Sequence, residues 1–343
     1  MHIIRHIHVR AALLALVGVL AVGSGAAYAA TRSTAPKIGT GVVVIDTNLA
    51  YEGGAAAGTG MVLTSNGEIL TNNHVIAGAT TIKVVIPKTS HTYTARVVGY
   101  STTADVAVLQ LQNASNLKTV SAGSAAALKI GARVTALGNA GGTGALVSAS
   151  GTVTGLNKSI TAQDDSGSAE QLTGLIEMNA AVQPGDSGGP LLNSAGKVVG
   201  MDTAASSGGG FAAYGGNDAY AIPIGKALTI AKQIVAGKAS ATVHVGGTAF
   251  LGVQVADVQS GPFGDGGSGA EIVGVVAGGP AATAGLAEGD VITSIAGKAV
   301  TSASDIQSAV LAQKPGAKVA VGYTDPTGAA ATATVTLGSG PPQ

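Results

Sequence analysis

Beyond the first thirty positions, apolar residues fall in short runs divided by Gly, Asn, Ser and Thr. Residues 41–45, 81–86, 96–99, 105–111, 133–137 and 197–201 are such runs, rich in Val, Ile and Leu. Strands at this density, with no helices between them, predict a barrel or sandwich and not βαβ units. One helix stands out at 224–235, where Ala227, Leu228, Ala231, Ile234 and Val235 recur at spacings of three and four. That spacing predicts one buried face, and Gly237 fits the left-handed position just past the helix. Residues 238–248 are small, polar and Gly-containing, which predicts a linker. A second set of strands follows near 251–255, 270–276, 290–295, 318–323 and 331–337. A short helix is expected to begin at Pro280, since proline suits a first helical position, and another to cover 304–312. The layout is therefore a leader at 1–29, a first domain at 30–237, a linker at 238–248, a second domain at 249–338 and a flexible tail at 339–343.

The leader has a basic stretch with Arg5 and Arg10, an uncharged apolar run from 11 to 22, and Ala27-Tyr28-Ala29 as a small-x-small cutting site. This is the pattern of a cleaved signal peptide. The alternative is an uncleaved anchor, because residues 11–30 almost reach the length of a membrane span; only then would the protein be membrane-attached. Both readings send the remainder out of the cytoplasm.

Composition narrows the chemistry. The 343 residues are ample for two domains. Eighteen Lys+Arg balance eighteen Asp+Glu, so the basic excess of a nucleic-acid binder is missing. The chain has no cysteine, which excludes disulfides, Cys-ligated metal and thiol catalysis. An exported fold must then be held by packing alone. The 53 glycines do not imply disorder, because mean hydropathy is +0.40.

Gly185-Asp186-Ser187-Gly188-Gly189-Pro190 is the most informative segment. A serine flanked by glycines can sit on a tight turn that offers both a nucleophile and converging N–H donors. Taken alone, it reads as a Gly-rich surface turn. Two further features change that balance. Thr71-Asn72-Asn73-His74-Val75-Ile76 places a histidine just after a strand-like run, and Asp105 opens the apolar strand 105–111. A charge at the head of a buried strand needs a partner, and a histidine suits it.

The order His74, Asp105, Ser187 resembles the trypsin-like serine proteases, more narrowly the HtrA/DegP family and, within it, the actinobacterial PepA-type proteases with one C-terminal PDZ domain. The likeness runs through Ala57-Gly-Thr-Gly60, Leu70-Thr-Asn-Asn-His-Val-Ile76, Asp105-Val-Ala-Val-Leu109, Gln183-Pro-Gly-Asp-Ser-Gly-Gly-Pro190 and Tyr220-Ala-Ile-Pro-Ile-Gly225. It implies a mainly β fold, a chymotrypsin-like double β-barrel protease domain followed by a PDZ domain. It implies His74 as base, Asp105 as its orienting carboxylate, Ser187 as nucleophile, and the N–H groups of Gly185 and Ser187 as the oxyanion hole. The implied primary pocket includes Ala181, Ala219, Tyr220 and Ala221. With no carboxylate at 181, cleavage after Lys or Arg is disfavoured and a small-to-medium apolar residue expected; the family more often has phenylalanine at the Tyr220 position.

Phe250-Leu251-Gly252-Val253, with 279–292, looks like a bacterial PDZ domain. Its loop would receive a peptide's C-terminal carboxylate, and the peptide would add as a strand. A structural hairpin is the alternative. The expected partners are polypeptide substrates and C-terminal peptides, with no cofactor and no metal. The family often trimerises through N-terminal aromatics; residues 31–50 have none and Tyr51 is the nearest, so monomer and homotrimer both stay open. Two other functions compete: a chaperone-like peptide binder with a latent triad, and an adhesin with a degenerate protease fold. Asp164-Asp165-Ser166-Gly167-Ser168 lacks the acidic spacing of a Ca²⁺ loop. By resemblance that segment and 206–218 correspond to activation loops. His91 and His244 are isolated, and His2, His6 and His8 lie in the leader.

Overall fold

A computed structural model describes residues 39–51, 53–163, 169–205, 218–258 and 268–343. The leader at 1–29, the loop at 164–168 and nearly all of 206–218 lie outside the described residues.

The first six strands are β1 Val42–Leu49, β2 Gly54–Val62, β3 Glu68–Thr71, β4 Thr81–Ile86, β5 His91–Ser101 and β6 Val106–Leu111. They pair antiparallel in the order β5-β4-β1-β2-β3-β6, and β6 pairs back onto β5, which closes a barrel. All of Val42, Val43, Val44 and Ile45 are buried, so the continuous apolar run marks a strand covered on both faces. Val43 and Ile45 join Ile69, Val84, Ala107 and Leu109 in the barrel interior. Gly60 on β2 leaves room for them, because a Cβ there would lie 2.7 Å from Ile69 and 2.9 Å from Ile45.

The next six strands are β7 Arg133–Gly138, β8 Val147–Gln163, β9 Ala169–Met178, β10 Pro190–Asn193, β11 Val198–Ala205 and β12 Ala219–Pro223. They close a second barrel in the order β10-β11-β12-β9-β8-β7. Met61, Leu70, Val106 and Val108 from the first barrel meet Leu192, Met201 and Ile222 from the second. The helix α1 Ile224–Val235 packs into that same seam through Ala227, Ala231 and Ile234. Each fully buried Val, Leu, Ile or Met side chain in the seam contributes about 1.5–3 kcal/mol. The seam is therefore a packed joint that fixes one barrel against the other.

The predicted buried stripe of α1 is one residue too wide. Val235 is 47% exposed because it lies one residue beyond the buried Ile234, on the edge of the stripe, where the last turn ends. Gly237, at φ +70°, donates to Ile234 O, and Lys238 donates to Gln233 O. These two bonds close the helix in the manner expected of a C′ glycine.

The region expected to be a linker is more ordered than its composition suggests. β13 His244–Val245 adds to the edge of β5, and β14 Thr248–Phe250 begins the second domain. That domain holds β15 Val253–Asp257, β16 Ala270–Val275, α2 Pro280–Thr283, β17 Val291–Ile295, β18 Lys298–Ala299, α3 Ala303–Leu311, β19 Lys318–Thr324, β20 Ala330–Thr336 and β21 Gly338–Gly340. Its sheet runs β15-β16-β17-β19-β20. Ile272, Ile292, Ile295, Val321 and Val335 form its core with Ile306 and Val310 from α3. Ser302 and Asp305 form a reciprocal capping box at the start of α3, an arrangement that stabilises a helix by about 1 kcal/mol.

Residues 339–343 are not a loose tail. β21 pairs with β14, Pro342 is buried, and the last residues bond to the first barrel. The sequence reading failed here because Gly, Ser and Pro signal low propensity, whereas this segment is held by main-chain bonds that any residue can make.

Candidate active site

The loop after β3 carries His74, and the turn before β6 carries Asp105. Asp105 takes a left-handed conformation, φ +51°, which Asp tolerates better than most residues. Its carboxylate is almost fully buried and closes on His74 from two sides. His74 N–H donates to Oδ1 at 3.0 Å, and Nδ1 lies 3.0 Å from Oδ1 and 2.9 Å from Oδ2. With Nδ1–H donating to the carboxylate, Nε2 is left as an acceptor, the tautomer a general base needs. Two further bonds hold the aspartate: Thr203 Oγ1 on β11 donates to Oδ2, and Asn72 Nδ2 donates to the Asp105 carbonyl at 2.9 Å.

Ser187 lies on the turn between β9 and β10, in the second barrel. Asp186 N–H donates to Gln183 O, Gly188 N–H to Asp202 O, and Gly189 N–H to Asp186 O. Among the described residues the N–H groups of Gly185 and Ser187 donate to no protein acceptor. The turn thus spends three donors on its own shape and leaves two for an incoming oxygen. Gly185 and Gly188 both have left-handed φ, +97° and +84°. A Cβ on Gly185 would collide with Asn139 O, and one on Gly188 with Thr59 O and Thr71 Oγ1.

Thr59, fully buried on β2, links the two halves. Its N–H donates to Ser187 O at 2.8 Å and its hydroxyl to Gly185 O at 2.7 Å. That hydroxyl also accepts from Asn139 N–H at 2.9 Å. Thr71 Oγ1 in turn donates to Thr59 O at 2.7 Å. One residue of the first barrel therefore holds both the serine turn and the strand leading to His74. Sequence reasoning missed Thr59, Thr71, Asn72, Asn139 and Thr203. No local signal marks them: Thr203 in Val-Val-Gly-Met-Asp-Thr reads as an ordinary strand threonine.

Behind the serine turn lies an acidic pair. Asp202 is fully buried and neither of its carboxyl oxygens has a hydrogen-bond partner. Burial, and then the neighbouring Asp186 charge, push its pKa well above the usual carboxylate range. Burial also raises Asp186, partly opposed by the Gln183 N–H bond. A raised folded pKa means that the native state holds protons the unfolded chain releases. The resulting stability is full below about pH 3.8, the ordinary Asp value, and is lost as pH rises through the folded value. The expected result is a urea midpoint that declines as pH rises above about 3.8. Asp202→Asn should remove most of that slope; equal slopes in the two proteins would contradict the assignment.

The residues expected to line the primary pocket lie at different depths. Ala181 is exposed beside the serine turn, whereas Ala219 and Ala221 are buried in the second barrel's core. Tyr220 points to the other side of β12, its hydroxyl donating to Glu177 Oε1 at 3.3 Å. Glu177 also pairs with Lys158 Nζ at 3.2 Å. In the second domain Leu251 is buried in the core, Gly252 has φ +80°, and Val253 begins the edge strand β15. Among the described residues the N–H groups of Leu251 and Gly252 have no acceptor, and β15 pairs only with β16. A loop with free donors beside an open strand edge suits capture of an extended peptide's terminus. Phe250 is stacked on Tyr51 of the first barrel, with centroids 5.2 Å apart and planes at 16°.

The profile of the trypsin-like peptidase domain matches residues 58–201, and that of the PDZ domain matches 249–336. Serine protease PepD of Mycobacterium tuberculosis is 35% identical over 320 residues, covering 90% of this chain and 66% of that protein. Serine protease Do-like HtrB of Bacillus subtilis is 35% identical over 256 residues, covering 70% of this chain and 52% of that protein. A solved structure described as HtrA-type protease AlgW with tripeptide superposes with a TM-score of 0.50 at 27% identity, covering 89% of this chain and 95% of that one. The chain spans between half and two-thirds of the length of the curated relatives it matches. Two barrels tied together by Thr59 and Thr203, a His74–Asp105 pair, a serine turn with two free donors and a PDZ domain following in the chain agree with these matches: the chain belongs to the HtrA/DegP family of trypsin-like serine proteases.

Proposed function

We propose that this protein is an exported serine endopeptidase that cleaves polypeptides through an acyl-enzyme. The observation that carries the reading is the doubly bonded pair of His74 with the buried Asp105, tied through Thr203 to the second barrel, whose serine turn has two uncommitted N–H donors. In this reading Ser187 Oγ attacks the scissile carbonyl carbon while His74 Nε2 takes the hydroxyl proton. The carbonyl oxygen gains charge and is met by the N–H groups of Gly185 and Ser187. His74 then returns the proton to the departing amine, breaking the C–N bond and leaving the acyl group on Ser187. Water, deprotonated by the same imidazole, releases the acid. Asp105 holds the tautomer throughout and stabilises the imidazolium.

The PDZ domain binds peptide C-termini along β15 and delivers substrate or an activating segment. Relatives titled periplasmic serine endoproteases and the leader-like first 29 residues support export. The absence of a carboxylate at Ala181 supports an apolar primary residue. Tyr51, the aromatic residue nearest the N-terminal segment, is already stacked on Phe250 within the same chain, which supports a monomer. The test is digestion of a denatured protein by residues 30–343, with every new terminus sequenced. Cuts after Val, Ala or Leu are expected, and all should vanish in Ser187→Ala. Cuts dominated by Lys or Arg would overturn the pocket assignment, and no cuts at all would overturn the enzyme reading.

A further inference from the structure

Beyond β21, which pairs with β14, the chain reaches the loop that carries His74. Gly78 N–H donates to Pro342 O at 2.9 Å, and Asn73 Nδ2 donates to the main-chain oxygen of Gln343 at 2.9 Å. On the other side, Gln307 Nε2 of α3 donates to Gln343 Oε1 at 2.9 Å. Tyr100 on β5 hydrogen-bonds Thr248, the first residue of β14, at 3.2 Å. The last two residues are thus held at once by the PDZ helix, by the first barrel and by the residue directly before His74.

Asn73 is the junction. It is 5% exposed, and its carbonyl accepts the N–H groups of both Ile76 and Ala77, so it fixes the turn that follows the histidine. Asn72, one residue earlier, holds the Asp105 carbonyl, and His74 N–H holds the Asp105 carboxylate. An amide whose one donor bond goes to Gln343, and whose Oδ1 has no partner, depends on that bond for its orientation. Loss of the bond would free the Asn73 side chain and loosen the 73–79 turn at its first residue.

We propose that residues 341–343 are a strap that positions His74 by way of Asn73, making the PDZ domain's own C-terminal segment part of the scaffold of the catalytic base. Asn73 is here a positioning residue: it touches neither substrate nor reacting atoms. The kinetic part rests on the protease reading above, while the structural part stands apart from it.

The experiment compares four versions of residues 30–343: unchanged, lacking Pro342–Gln343, Asn73→Ala, and both changes together. The first readout is deuterium exchange of the peptide spanning 72–79. Exchange should speed up at least several-fold on removal of Pro342–Gln343, with the second barrel unaffected; unchanged exchange overturns the strap. The second readout is turnover of a chromogenic peptide. Each single change should lower kcat about tenfold, the order expected when a catalytic group is displaced by a fraction of an ångström, with KM within about twofold. The double variant should be no slower than the slower single, because the Asn73–Gln343 bond is the one that both changes remove. Losses that multiply overturn the proposed route through Asn73. If Asn73→Ala fails to fold, Gln307→Ala, which releases the strap from the surface of α3, takes its place with the same expected direction. If removal of Pro342–Gln343 speeds exchange while the unchanged protein shows no turnover, the protease reading is overturned and the structural brace stands.

Discussion

Asp105→Asn lowers kcat by about 10⁴-fold and leaves the fold intact, in keeping with the cost of losing the orienting carboxylate in a Ser–His–Asp system. The carboxylate accepts from His74 N–H, from His74 Nδ1 and from Thr203 Oγ1. An amide at 105 keeps one acceptor oxygen for the main-chain bond but turns an NH₂ toward Nδ1. The imidazole then carries its proton on Nε2, where it can no longer accept one from Ser187. Peptide turnover is the measurement, with KM and the melting temperature as controls. A fall of less than tenfold would mean that His74 does not depend on Asp105 for its tautomer.

Gly185→Ala should cost about 10²–10³ in kcat, the typical loss for one oxyanion donor. The cause is geometric. At φ +97° an L-residue is strained, and the added methyl has no room beside Asn139 O and Gly142 N. Relief requires the 184–186 turn to move, which withdraws the Gly185 N–H from its place and disturbs the Thr59 hydroxyl bond to Gly185 O. The acylation rate of a chromogenic ester reads the loss. A variant with kcat within fivefold of the parent would show that the oxyanion site lies elsewhere.

These two residues also mark how far the sequence could be read. His74, Asp105 and the 185–190 turn were legible because their chemistry forces unusual neighbours: a charge at the head of a buried strand, and glycines around a serine. The barrels were legible as Val/Ile/Leu runs, and α1 as a stripe with a glycine stop. Thr59 was not, because its role lies in three bonds to residues more than 70 positions away, and nothing local announces them. Thr203 was hidden for the same reason: a threonine in a strand looks like β-propensity until its partner is known. The C-terminal segment was misread because flexible composition describes a chain without partners. Here the partners are Gly78, Asn73 and Gln307, far apart in sequence and on two domains.

The central claim is that Ser187, activated by His74, is a nucleophile. It is tested most directly by exposing residues 30–343 to a fluorophosphonate and locating the adduct by mass spectrometry. The expected result is stoichiometric modification at Ser187 alone, lost in Ser187→Ala and slowed by several orders of magnitude in His74→Ala. A folded protein that acquires no adduct, or acquires it at another serine, would contradict the account.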